Sequence, residues 1–164
     1  MKRLIVTCIV VASAVAVAGQ SPKYGIAVTA EKDVDFAKFK TYSWMAGQPS
    51  AIKAVDAQIV AAVDRELAGL AMKKATSGPG DVVVSYYSLS RTDVDLKAKP
   101  DAKGARPGYS VGSLGVVLLE PASRRRLLQL RVDEPIETQA EELAATIDRV
   151  VAEMFAKYPT RQTK

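Results

Sequence analysis

Reading the chain for alternation and helical spacing divides it into seven elements. Gly25 to Ala30 alternates with a period of two and predicts a first strand. Phe36 and Phe39 stand three apart between Asp33 and Lys40, the spacing of a single helical turn. Thr41-Tyr42-Ser43-Trp44 is rich in β-branched and aromatic residues and predicts a short second strand. In 51–74, Ile52, Val55, Ile59, Val63, Leu67 and Leu70 recur every three or four positions, the core stripe of a helix. Ser50 is its expected N-cap, and Lys73 and Lys74 suit its negative end. Lys53, Asp56, Asp64 and Lys74 are assigned to its solvent face.

The run from Asp81 to Ser90 starts with continuous apolar residues and predicts a central strand at 82–90. From Asp93 to Pro107 the pattern dissolves into Lys, Asp, Ala, Gly and Pro, which reads as a mobile surface loop. Val111 to Glu120 and Leu127 to Val132 predict an antiparallel hairpin with Arg124, Arg125 and Arg126 at its tip. Thr138 and Glu141 form a capping box for a second helix over 138–158, which Pro159 ends. The expected fold is α+β, in the order β-β-α-β-β-β-α. A mostly antiparallel sheet of about five strands carries two long helices packed side by side on one face.

The first residues belong to a different pattern. Lys2 and Arg3 precede the uncharged run from Leu4 to Ala18, and Ala16-Val17-Ala18 is a small-residue cleavage signature. Residues 1–18 are therefore expected to be a signal peptide cut between Ala18 and Gly19, leaving one domain over 19–164. The run is shorter than the roughly 20 residues that span a bilayer, so no stable membrane anchor is expected after cleavage. Gln20 and Ser21 occupy the place of a lipid-bearing cysteine, and the expectation is a soluble periplasmic protein.

Composition narrows the chemistry further. The 164 residues include no histidine and one cysteine, Cys8, which leaves with the leader. Histidine-based triads and histidine or thiolate metal sites are excluded from the mature chain. Its formal charge falls from +5 to +3 with the loss of Lys2 and Arg3, too little for a nucleic-acid surface. No cofactor is implied: the one Gly-Pro-Gly, at 78–80, precedes a strand, whereas a phosphate loop follows one. Asp93, Asp95 and Asp101 supply oxygen ligands for calcium but lack the spacing of an EF-hand.

Three segments together resemble the DUF4136 family of bacterial envelope proteins. They are Val34 to Trp44, with its Asp-Phe opening into Thr-Tyr-x-Trp, the glycine-led strand Gly112 to Glu120, and the closing helix that ends in Lys157-Tyr158-Pro159. The resemblance covers nearly all of the mature chain. It implies an envelope location and an α+β fold, and no reaction.

Three functions follow as expectations. The first is a non-enzymatic domain that binds an envelope protein or envelope component through an uncovered sheet face or the loop at 93–110. Its candidate contacts are Tyr42, Trp44 and Tyr86, as stacking surfaces, and Arg124, Arg125 and Arg126. The second is a polysaccharide hydrolase using two carboxylates such as Asp35 and Glu120. The third is a binder of anionic lipid or lipopolysaccharide through the three arginines.

Overall fold

In the computed structural model, which describes residues 25–136 and 140–162, the alternating segment Gly25–Ala30 is strand β1. A 3-10 turn at Phe36–Lys38 follows, opened by Asp35, whose carboxylate accepts from the Ala37 N–H. The further elements are β2 (Thr41–Trp44), α1 (Lys53–Gly69), β3 (Lys73–Lys74), β4 (Val82–Val94), β5 (Gly108–Leu119), β6 (Arg126–Pro135) and α2 (Ala140–Ala156). The leader at 1–18, its cut between Ala18 and Gly19, and the Thr138 cap lie outside the described residues.

The class is α+β, with two corrections. The sheet has six strands, ordered β1-β6-β5-β4-β2-β3, and it is mixed. β1, β6, β5 and β4 pair antiparallel, whereas β2 runs parallel to both β4 and β3. The parallel part has a direct cause. Between β2 and β4 the chain crosses over through α1, and a helical crossover returns a strand in the direction it left.

The sixth strand comes from the end of α1. The apolar spacing continues through Leu70, but the helix stops at Gly69. Ala71 takes a left-handed conformation (φ 61°) and the Met72 N–H turns back to the Leu67 carbonyl. Met72 is buried, and the Lys73 N–H then donates to the Lys40 carbonyl. Lys73 and Lys74 therefore border the sheet and do not end a helix. At the other end Ile52, not Ser50, is the N-cap residue, and the Ser50 hydroxyl accepts from the Ile52 N–H.

β4 and β5 are the two middle strands, as expected of the apolar run at 82–84. Val82, Val84, Val116, Leu118, Leu128 and Leu130 share the face against which both helices pack. Ile59, Val63 and Leu67 of α1 and Val151, Met154 and Phe155 of α2 meet them. Each such side chain contributes about 1.5–3 kcal/mol on burial. The helices lie side by side, clasped by Asp148 of α2, which accepts from Gln58 (2.6 Å) and Arg65 (2.8 Å) of α1. No described helix is long and apolar enough to cross a membrane.

The polar stretch predicted as a loop over 93–107 is shorter. β4 runs on to Val94, β5 begins at Gly108, and residues 95–107 carry their own hydrogen bonds. The Arg106 guanidinium donates to the Leu96 and Ala98 carbonyls, both at 2.6 Å. The Asp95 and Asp101 carboxylates accept backbone N–H groups of the same loop. No cluster of metal-ligating side chains occurs among the described residues.

Candidate functional site

The three aromatic candidates are brought together, and they face α1. Tyr42 and Tyr86 are buried, and Trp44 packs edge-on against Tyr86 with ring centroids 6.1 Å apart. The Tyr42 hydroxyl and the Trp44 indole N–H both donate to Asp64 Oδ1, at 2.7 and 2.8 Å. The Tyr86 hydroxyl donates to Asp56. Burial pushes the Tyr42 phenol far up, and the Asp64 carboxylate adds to the effect. Asp56 and Asp64 thus point at the sheet, not at solvent as their polarity suggested. Their spacing of eight, two turns and a fraction, is the signal that places them on one face.

Arg124, Arg125 and Arg126 lie apart from the aromatics, at the β5–β6 turn, where Arg124 is left-handed (φ 59°). Arg125 pairs with Glu120 (3.5 Å) and Glu31 (3.8 Å), and Arg126 donates to the Gln129 side chain. Asp35 and Glu120 line one shallow depression of about 370 Å³, together with Asp33, Asp81 and Arg125. A hydrogen bond from Ser123 and the Arg125 charge hold the Glu120 carboxyl below its usual range. That is the opposite of what a proton-donating acid requires.

The open face of the sheet is paved with long side chains. Tyr87 lies across Gly115, where a Cβ would come within 2.1 Å of the ring, and its hydroxyl accepts from Gln129 at 3.1 Å. Beyond it, Asp133 accepts from Arg131 (3.0 Å), Arg91 (3.2 Å) and the Ser113 hydroxyl. Burial pushes the Asp133 carboxyl up, but these donors together outweigh it and hold it low.

A concave, largely apolar feature is on the helix side, where β4, β5 and β6 outrun the helices. There a groove of about 320 Å³ opens between the start of α1 and the first half of α2. Ser88, Ser90, Leu114 and Val132 form its floor; Ile52, Val55 and Ile59 form one wall; Leu143, Ile147 and Val150 form the other. Ile136 closes one end over Gly112, where a Cβ would lie 2.6 Å from its Cγ2. Polar groups gather on the floor and rim: Ser88, Ser90, Thr146 and Glu134, the last held by Arg149 at 2.6 Å.

The family model for the domain of unknown function DUF4136 matches residues 26–160. The chain belongs to the DUF4136 family. No curated protein sequence matches it. Solved structures that share the fold of this DUF4136 domain include two of low sequence identity. A PDZ domain protein from Parabacteroides distasonis is 14% identical, with a TM-score of 0.60 over 85% of this chain. This chain spans only 36% of that protein. The PelC dodecamer from Paraburkholderia phytofirmans is 9% identical, with a TM-score of 0.56 over 87% of this chain and 100% of its own.

The segments that suggested the family meet in the DUF4136 domain. Phe36, from the opening motif, packs edge-on against Tyr158, from the closing one, with centroids 5.7 Å apart. Tyr158 is buried, its hydroxyl has no hydrogen-bond partner among the described residues, and burial pushes it up to about 12. These motifs therefore close the core at the end remote from the groove. Sequence reasoning missed the groove because its walls come from segments some 90 residues apart.

Proposed function

We propose that this domain is an exported, non-enzymatic binding domain of the bacterial envelope, and that its groove takes a slender, largely apolar molecule with a polar head. The carrying observation is the groove. Pockets of roughly 300–1,000 Å³ with apolar walls and a few convergent polar groups are the usual form of a small-molecule site. The walls here are aliphatic, and the hydroxyls of Ser88 and Ser90 with the Glu134–Arg149 pair supply the polar contacts. Export rests on the leader-like first eighteen residues. The lack of histidine, and of cysteine beyond Cys8, supports a role without catalysis.

The test is titration of the purified protein with a fluorescent fatty acid. Saturable binding that Thr146→Trp weakens by about tenfold or more, with unchanged circular dichroism, is expected. Binding unaffected by that space-filling change overturns the reading.

Two other readings have narrower support. Asp35 and Glu120 share one depression, which favours the carboxylate hydrolase in geometry but not in the protonation of Glu120. Anionic-lipid binding by Arg124, Arg125 and Arg126 draws on their exposure at one hairpin tip, and it predicts salt-sensitive association with anionic vesicles.

A further inference from the structure

The parallel neighbour of β4 covers only its first half. After β2, the chain continues along β4 as far as Gln48: the Met45 N–H donates to Val84, the Gln48 N–H to Tyr86, and the Ser88 N–H to Gln48. These bonds show that the backbone groups of residues 84, 86 and 88 point toward this edge. The pairing of β4 with β5 is unbroken from Val83 to Val94, so Ser90, Thr92 and Val94 point the same way. No described residue pairs with them there. The chain has already turned off into α1.

Open edges are usually short, charged, bulged or broken by proline. β3, at one border of the sheet, follows that rule with two residues, both lysine. The Ser90–Val94 edge has no proline and no bulge, and its two charges, Arg91 and Asp93, are of opposite sign and do not repel a second copy of themselves. One of the exposed large hydrophobic side chains among the described residues lies on it, and the others lie next to it in sequence or at the groove mouth. Leu89 (45% exposed) and Val94 (51%) are on β4, Leu96 (60%) is just beyond its end, and Ile52 (61%) is at the groove mouth, whose floor includes Ser90. β1, at the opposite border, carries none of them.

We infer that the Ser90–Val94 edge of β4 is a dimerisation site, which pairs antiparallel with the same edge of a second copy about a twofold axis at Thr92. The sequence is self-complementary in this register. Thr92 faces Thr92 of the second copy, and Ser90 faces Val94. All three outward-pointing residues then fall at hydrogen-bonded positions, and each exchanges both backbone bonds. The intervening pair sets Arg91 of each copy opposite Asp93 of the other, so no like charges face one another. Arg91 already pairs with Asp93 within its own chain at 2.9 Å, and the second copy extends this into a four-membered ladder of alternating sign.

The paired length ends where β4 ends and where Gln48 begins to cover the edge. Even-numbered side chains of both copies share the helix side, which sets Val94 of one copy beside Ser90 at the other's groove. This inference does not rest on the groove having a ligand.

The test uses sedimentation and disulfide trapping on the full chain. Sedimentation equilibrium should give a concentration-dependent species of twice the 17.6 kDa chain mass. Thr92→Lys, which sets two lysines face to face on the axis, should weaken it by more than about tenfold with unchanged circular dichroism. In a Cys8→Ser background, Thr92→Cys should oxidise to a covalent dimer, because facing residues at such a position lie about 5.5 Å apart at Cα. Ser123→Cys, at the β5–β6 hairpin tip, should not. A monomer at every concentration, an assembly indifferent to Thr92→Lys, or equal cross-linking through both cysteines overturns the inference.

Discussion

At the scale of single residues, Asp64 organises more of the domain than any candidate named from the sequence. One of its oxygens accepts from Tyr42 and Trp44, and the other pairs with Lys74 at 3.5 Å. The carboxylate thereby ties β2 and β3 to α1. Its removal leaves a buried hydroxyl and a half-buried indole N–H without an acceptor, and each orphaned donor costs about 1–3 kcal/mol. Trp44 reaches water more readily than Tyr42 does. Asp64→Ala is therefore expected to destabilise by about 2–3 kcal/mol in urea unfolding, with a red shift of Trp44 emission, and Asp64→Asn by about half as much. A loss below about 0.5 kcal/mol would show that these contacts are not holding the helix to the sheet.

At the scale of elements, the join between β2 and β4 depends on a close approach at Gly47. A Cβ there would lie 2.1 Å from the Tyr86 carbonyl oxygen and 2.5 Å from Ser85 Oγ. The carbonyl belongs to the backbone of a central strand and has nowhere to move. Gly47→Ala should push the segment off β4 and break the bonds that Gln48 makes with Tyr86 (3.0 Å) and Ser88 (2.9 Å). The expected cost is about 2–3 kcal/mol, read as a fall in Tm of about 5–10 °C. An unchanged Tm would mean that this segment does not anchor the edge of β4. The same scale shows what the pattern of residues could reveal. β1 and β2 stand at the residues that alternation and β-branched and aromatic content, respectively, marked, because both are short, strand-prone and bounded by breakers. The end of α1 was hidden because Leu70 keeps the helical spacing while the left-handed Ala71 turns the chain. The overhang of β4 and β5 was hidden because Ser90 to Val94 and Gly108 to Ser110 are held by register with each other and not by burial in a core. Alternation put Tyr42 and Trp44 on one face, but parity alone does not say which face receives the helices. The groove was beyond reach altogether, since Ile52, Leu143 and Glu134 become neighbours only after the sheet has formed.

At the scale of the whole molecule, the titrating groups set the range of pH over which the fold holds. The chain has no histidine, so no side chain with an ordinary pKa changes charge between about pH 5 and 8. The carboxyls of Asp81, Glu120 and Asp133 are lowered in the folded domain from ordinary values of 3.8, 4.5 and 3.8. Asp81 is lowered first by the Lys40 and Thr41 backbone N–H groups, and Glu120 by Ser123. A lowered carboxyl contributes stability that is complete above its unfolded value and is lost as the pH falls through its folded one. Tyrosine works in the opposite direction. Tyr158 is raised from 10.0 to about 12, so its contribution is complete below 10 and is lost above it. Thermal unfolding should therefore show a plateau in Tm from about pH 5.5 to 8 and an acid limb below about pH 4. Asp133 contributes to that limb, because its protonation leaves the Arg91 and Arg131 guanidinium groups beside each other with their shared counter-charge gone. Asp133→Asn should lower Tm on the plateau and flatten the acid limb. A midpoint that moves between pH 6 and 7, or an acid limb equally steep in Asp133→Asn, would show that the charge network on the open face does not set the acid limit of this fold.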